Sequence, residues 1–277
     1  MHETLLHHKP VSYGSDLADY AFIAVVAAHA VLGGLGFATS FVALFAKKGR
    51  RLHVASGLWF VRAMVGAALS GIVIDVIRLG VRYAPNHTQV DGLAMPSSIP
   101  ARIAFLYAAL AVLYLAAVGG RRATFEKDGA ASAWVRVSMT PALAAAGVAS
   151  IALIALRFDP WTGAIWMIAT FVALVLMVGQ LERTRAERRA PGLAVHRLSM
   201  LGLASFSWWG AAQGFGPALA YALRGVEAAA GPYVGDQPGP FRLQFLGYLA
   251  FWAPAFVIAA LLYRRYARVS APREARA

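Results

Sequence analysis

Seven stretches of this 277-residue chain are apolar over the roughly 20 residues that an α-helix needs to cross the hydrocarbon core of a bilayer. A spanning segment must satisfy its own backbone hydrogen bonds, so segments of this length and composition predict membrane-spanning helices. They lie at about 20–46, 55–80, 102–119, 138–157, 161–181, 197–223 and 243–263. We therefore predict an all-α protein, a polytopic transmembrane bundle of about seven helices.

The overall composition agrees with a membrane protein. Hydrophobic residues make up 59% of the chain and charged residues 14%, whereas soluble domains carry about 25% charged residues. The formal net charge is +13, but the basic residues form short groups between apolar segments, so we expect no nucleic-acid partner. The chain has no cysteine, which excludes disulfides, iron–sulfur clusters and thiol nucleophiles. Any metal or haem would have to be held by His, Met or carboxylate side chains.

The distribution of basic residues predicts the orientation. Of the 26 Lys and Arg residues, 18 lie in the connections 47–53, 120–137 and 182–197 and in the tail after residue 263, and 7 lie on the opposite side. Cytoplasmic connections carry the excess of Lys and Arg. We therefore predict that the N-terminus is outside and the C-terminus is cytoplasmic, in the inner membrane of a bacterial cell.

The chain divides into a bundle and two tails. Residues 1–19 are polar and lack the basic start and the cleavage site of a signal peptide, so we interpret them as a short N-terminal tail. Residues 20–263 form a single transmembrane bundle, and 264–277 form a basic cytoplasmic tail. The second and sixth segments both open with His-x-x-Ser-x-Leu, at His53 and at His196. This match has two explanations, chance and a parallel internal repeat.

Ionisable residues inside the segments form the first candidate site. At 1.5 Å per residue, His29 lies about 14 Å from the outer end of its segment, and Asp75 about 8 Å from the outer end of the next. Arg78 follows Asp75 by three residues, which places both on one helical face. The cluster of His29, Asp75 and Arg78 would suit a proton relay or a substrate site. The alternative is a structural clamp in which Arg78 neutralises Asp75 and extends outward.

The second candidate site is a pair of histidines at cytoplasmic helix starts. His53 and His196 stand on different segments, beside Arg50, Arg51 and Arg197. Two neutral imidazoles can ligate a haem iron, and guanidinium groups suit haem propionates. Segments three, four, five and seven contain no histidine, so we expect one haem b rather than two. The alternative is that both histidines are interfacial residues beside lipid phosphates.

A third candidate lies in the sixth segment, where Trp208, Trp209 and Gln213 are close in sequence. They would suit a ligand pocket for a quinone or another apolar ring, with Gln213 as hydrogen-bond donor. The alternative is that the two tryptophans only pack or anchor the helix. Phosphate-binding glycine loops and the zinc motif His-Glu-x-x-His are absent from the sequence, which gives hydrolase and kinase functions no support.

Several short motifs together carry a resemblance to a known family. The chain contains His29, then Lys48-Gly49-Arg50-Arg51-Leu52-His53, then Gly57-Leu58-Trp59-Phe60-Val61-Arg62-Ala63-Met64, and later His196-Arg197-Leu198-Ser199-Met200. In these elements it resembles an uncharacterised bacterial family of predicted membrane proteins, a domain of unknown function. The resemblance covers 29–64 and 196–200 and implies a multi-pass membrane protein with no settled activity. A looser similarity, of histidines at helix ends beside basic residues, is to b-type membrane cytochromes.

Two classes of function remain open on the sequence. The first is a redox protein that binds one b-type haem near the cytoplasmic face and exchanges electrons with quinone. The second is a non-catalytic accessory or scaffold subunit of a membrane complex, or a small-solute transporter. The expected partners are the lipid bilayer and either quinone or another membrane subunit. Whether the protein is an enzyme stays open.

Overall fold

The regular structure of the protein is helical wherever it is described. The computed structural model describes residues 16–81, 98–121, 138–157, 163–188 and 193–224. Six helices are found there: α1 Asp16–Phe45, α2 Arg51–Val76, α3 Ser98–Arg121, α4 Thr140–Arg157, α5 Gly163–Arg188 and α6 Leu193–Arg224. The prediction of an all-helical protein is confirmed for this part of the chain. The predicted seventh segment at 243–263 and the C-terminal tail lie outside the described residues, as does most of the N-terminal tail.

Five of the six helices, α1 to α5, are long and apolar enough to cross a membrane. Their apolar spans are Tyr20–Phe45, Arg51–Val76, Arg102–Gly120, Thr140–Arg157 and Ala164–Arg183. These spans agree with the predicted segments to within a few residues. The sixth helix has 32 residues and contains the whole predicted segment at 197–223. By the length and composition of its helices, the chain is therefore a membrane protein.

Helix α3 forms the centre of the bundle. The apolar span of α3 is 61% buried, against 11% for that of α1. It packs against α2, α4, α5 and α6, and Tyr114 and Leu115 are fully enclosed. Helices α4 and α5 pack against each other as consecutive neighbours. The apolar core of the described residues is thus built around α3.

Among the described helices, α1 lies at the edge and packs closely against α2. Large apolar side chains on α1 point outward, including Leu17 at 80% and Phe45 at 79% exposure, as expected of a helix that faces lipid tails. Small residues hold the two helices together, because Gly66 lies against Leu32 and Gly71 lies against the ring of His29. Such close approach is typical of helix pairs in membranes, where dispersion contacts drive association.

Helices α1, α2, α3 and α6 form a four-helix group. Helix α1 packs against α2 and α6, and α3 also packs against α2 and α6. Helices α2 and α6 therefore stand opposite each other across the group. With neighbouring axes about 8–10 Å apart, opposite axes are about 11–14 Å apart. At one end of this group α1 and α3 finish while α2 and α6 begin. We call it the basic end.

Candidate functional site

The basic end takes its name from five cationic residues. Lys47, Lys48, Arg50 and Arg51 lie in the connection between α1 and α2 and at the start of α2, and Arg197 lies in the second turn of α6. Gly49 makes this short connection possible because its φ of +76° is a conformation that other residues rarely adopt. The backbone N–H of Arg50 closes the turn by donating to Lys47 O at 3.1 Å.

Lys48 is held against the end of α1. Its ammonium donates to Ala43 O at 3.0 Å and to Leu44 O at 2.7 Å, two carbonyls that the last turn of a helix leaves without backbone partners. Partial burial, followed by the positive charge of Arg197, lowers the pKa of Lys48. Within the described residues, no carboxylate pairs with either cation.

His53 and His196 make equivalent hydrogen bonds on two different helices. His53 Nδ1 lies 2.8 Å from Ala43 O in the last turn of α1. His196 Nδ1 lies 2.9 Å from Gly119 O in the last turn of α3. Because a carbonyl can only accept, each Nδ1 carries the proton, and Nε2 of the neutral ring carries the lone pair. When it is neutral, each imidazole therefore has the tautomer that ligates metals through Nε2.

Helix α3 contacts both α2 and α6 just inside the basic end. The Cα of Gly119 approaches Ser199 and Met200 of α6 so closely that a Cβ there would be 2.6 Å from both side chains, and Gly120 lies against Val61 of α2. Ser199 follows His196 by three residues and is fully buried, yet its Oγ has no hydrogen-bond partner among the described residues. Buried polar atoms in folded proteins usually have a hydrogen-bond partner, so this oxygen marks a place where a ligand could bind. It lies one helical turn from His196.

The intramembrane cluster has a member that the sequence analysis missed. Asp75 of α2 is 3% exposed, and it pairs with Arg102 of α3 at 3.1 Å. The predicted partner Arg78 lies in a single π-helical turn, Ile77–Val81, that continues α2, and its side chain is outside the described residues. The sequence did contain a signal for this pair. Asp75 lies near the end of the second predicted segment and Arg102 at the start of the third, so both lie toward the same side of the membrane.

His29 also binds α2, one to two turns from Asp75. Its Nδ1 lies 2.9 Å from Ala67 O and 3.1 Å from Ser70 Oγ. Ser70 in turn donates to the carbonyls of its own helix. The contacts of His29 on α2 thus lie five to eight residues before Asp75. Whether the two groups form one functional cluster stays a prediction.

The two adjacent tryptophans of α6 face different helices. Trp208 Nε1 donates to Ser40 Oγ at 2.7 Å, and the Trp208 ring stacks on Phe41 of α1 with centroids 4.8 Å apart. Trp209 is buried, with its ring centroid 5.9 Å from that of Phe105 on α3. The two rings therefore belong to two separate contacts. The side chain of Gln213, the third residue of the predicted pocket, lies outside the described residues.

A second buried carboxylate was also absent from the sequence analysis. Glu182 of α5 is 4% exposed. The Tyr114 hydroxyl hydrogen-bonds Thr140 Oγ1 at 2.8 Å. This hydrogen bond joins α3 to α4, and Gly179 of α5 packs against Thr140. Glu182 ends an apolar run, where the sequence alone predicts an exposed residue.

The described residues contain no group of three or more His, Asp or Glu side chains that could hold a metal ion. A haem with two axial ligands needs only a pair of histidines. Comparison of the chain with protein-family models, with curated proteins and with solved structures finds no match. The functional argument therefore depends on the site geometry.

Proposed function

We propose that the protein is a multi-pass inner-membrane redox protein that binds one b-type haem at the basic end and exchanges electrons with quinone. The single observation that most supports the haem is that His53 and His196 make equivalent hydrogen bonds, each to a carbonyl in the last turn of a neighbouring helix. Both leave Nε2 with its lone pair. The excess of basic residues favours the cytoplasmic side for this end, with the N-terminus outside.

The residues at this end fit a haem in their chemistry. His53 and His196 stand on α2 and α6, which face each other across the four-helix group. Ser199, next to His196, is a buried polar group without a partner in the described part of the chain. Arg50, Arg51 and Arg197 are exposed and would neutralise propionates.

The roles of the chain's own residues follow from these contacts. His53 and His196 would hold the iron, and their Nδ1–H bonds to Ala43 and Gly119 would orient the rings and raise the basicity of Nε2. The buried side chains of Phe60 and Met64 on α2 would keep water away and lower the local dielectric constant. A bound haem would supply one-electron transfer.

The test is the reduced-minus-oxidised absorption spectrum of protein expressed with ample haem. We expect b-type bands in the wild type and their loss in His53→Ala and in His196→Ala. His29→Ala is the matched control, because His29 makes the same kind of Nδ1 contact with a helix carbonyl and should keep the bands. A folded wild type without these bands would remove the haem from consideration.

A second candidate is a non-catalytic accessory or scaffold subunit, or a small-solute transporter. It is favoured by the same hydrogen bonds, because imidazole donors that complete the last turns of α1 and α3 stabilise those ends without any ligand. In that case the protein is colourless, and His53→Ala and His196→Ala lower its melting temperature by the loss of one cap each.

A further inference from the structure

Arg62 is an exposed cation in the middle of a membrane-spanning helix. The two central residues of the apolar span Arg51–Val76 on α2 are Ala63 and Met64, and Arg62 lies next to them with an exposed side chain. In the described part of the chain, Arg62 makes no ion pair and no hydrogen bond. Ionisable residues in spanning helices usually face a partner or a cavity inside the bundle. An exposed arginine at this depth therefore indicates a partner outside the bundle.

A lipid headgroup is a poor partner for this guanidinium. The hydrocarbon core is about 30 Å thick, so a residue at the centre of a span lies about 15 Å from either headgroup layer, farther than an arginine side chain extends. The guanidinium carbon of Arg62 also lies 5.8 Å from the centroid of the Trp59 ring, a cation–π contact that holds it within one helical turn. We therefore expect the counter-charge inside the hydrocarbon core.

A second copy of this chain is also a poor partner, because it has no free carboxylate at that depth. Asp75 is the only Asp or Glu residue within the seven predicted segments. It is buried and already pairs with Arg102. The carboxylate that would pair with Arg62 therefore has to come from a different protein.

The surface around Arg62 suits another helix. Leu58, Leu69 and Val76 lie on the same face of α2, four residues before Arg62 and seven and fourteen residues after it. Their side chains are 45%, 52% and 52% exposed. Residues that recur at intervals of four and seven form the seam of a left-handed helix pair, and one polar residue in such a seam fixes the register of the partner.

We propose that this face of α2 binds a transmembrane helix of a different membrane protein, one that carries an Asp or Glu residue near its middle. The carboxylate pairs with Arg62, whose guanidinium also contacts the Trp59 ring. Apolar side chains of the partner pack along Leu58, Leu69 and Val76. Opposite charges attract most strongly where water is excluded, as it is in the hydrocarbon core. The inference needs no haem and is independent of the site at the basic end.

The experiment measures the binding of model helices to the full chain in phosphatidylcholine vesicles, by fluorescence energy transfer from a dye on the protein to a dye on the helix. The probes are peptides of about 24 Leu and Ala residues with Lys at both ends, identical except for Glu, Gln or Leu at the centre. We expect the wild type to bind the Glu peptide about tenfold more tightly than the Gln peptide, because a hydrogen bond between two charged groups is the stronger one.

Variants separate a defined helix site from general association in the membrane. Arg62→Met should abolish the preference for the Glu peptide over the Gln peptide. Leu69→Trp should weaken binding of both peptides about tenfold, because the larger ring projects from the seam. Leu153→Trp on α4 is its matched control, because Leu153 is 48% exposed, and this variant should bind as the wild type does.

Both leucines are exposed, so neither tryptophan variant should impair folding, and the helix content of each protein checks this. Equal binding of the Glu and Gln peptides to the wild type would overturn the proposal. A preference for Glu that persists in Arg62→Met would do the same, as would equal losses in Leu69→Trp and Leu153→Trp.

Discussion

The buried ion pair between Asp75 and Arg102 gives the sharpest test of the packing. At 3.1 Å and an effective dielectric constant of about 20, the attraction amounts to about 5 kcal/mol. Removing one partner of a buried pair typically costs 3–5 kcal/mol, because the other charge stays buried. The Arg102 side chain is 22% exposed, which allows some hydration, so we expect Arg102→Met to cost about 3 kcal/mol.

The chain offers a closely matched control for this substitution. The guanidinium groups of Arg102 and Arg62 both lie 5.8 Å from an aromatic centroid, over Phe105 and Trp59 respectively. Arg62→Met therefore loses a comparable cation–π contact, worth about 0.5–1 kcal/mol, without leaving a buried carboxylate. The difference between the two variants isolates the ion pair and should be about 2 kcal/mol.

The assay is equilibrium unfolding in mixed micelles, with helix content and tryptophan fluorescence as two independent signals. The double variant Asp75→Leu with Arg102→Met should cost less than the sum of its single variants, by about 1–3 kcal/mol. Equal costs for Arg102→Met and Arg62→Met would refute the reasoning, as would strict additivity in the double variant.

Two further predictions concern packing and topology. Gly119→Ala should lower the free energy of unfolding by about 1–3 kcal/mol, because the new Cβ would lie 2.6 Å from Ser199 and Met200. Gly33→Ala, with no atom within 4 Å of its Cβ, should have no such cost, and equal effects in the same unfolding assay would contradict the close α3–α6 contact. Reporter fusions after residues 50, 130 and 190 should give cytoplasmic signals and those after 90 and 230 outside signals, and a cytoplasmic signal at 90 or 230 would reverse our orientation.

The helices could be predicted well because their signal is local. Predicted and observed boundaries differ mainly where polar residues continue a helix beyond its apolar part. Helix α3 begins at Ser98 rather than at 102, and Pro100 suits the first turn because it lacks an N–H that would need a partner. Helix α5 continues to Arg188, since backbone hydrogen bonds persist after the side chains become charged.

The candidate site could be predicted only in part. His53 and His196 were selected because both stand at helix starts beside arginines, and the structure places each on a last-turn carbonyl of a neighbouring helix. Asp75 was also recognised, but Arg102, 27 positions later, was not assigned as its partner. A sequence shows neighbours three or four residues apart, such as Arg78, more readily than partners on another helix.

The sequence by itself determined where the six described helices lie and that five of them are long and apolar enough to cross a membrane. A segment of about twenty apolar residues forms a helix in lipid whatever its neighbours are, because lipid offers its backbone N–H and C=O groups no hydrogen-bond partners. Only the tertiary structure decided that α3 is central and that α2 and α6 face each other across the four-helix group. In lipid no hydrophobic force selects helix neighbours, so close contacts such as Gly119 with Ser199 and polar pairs such as Asp75 with Arg102 select them.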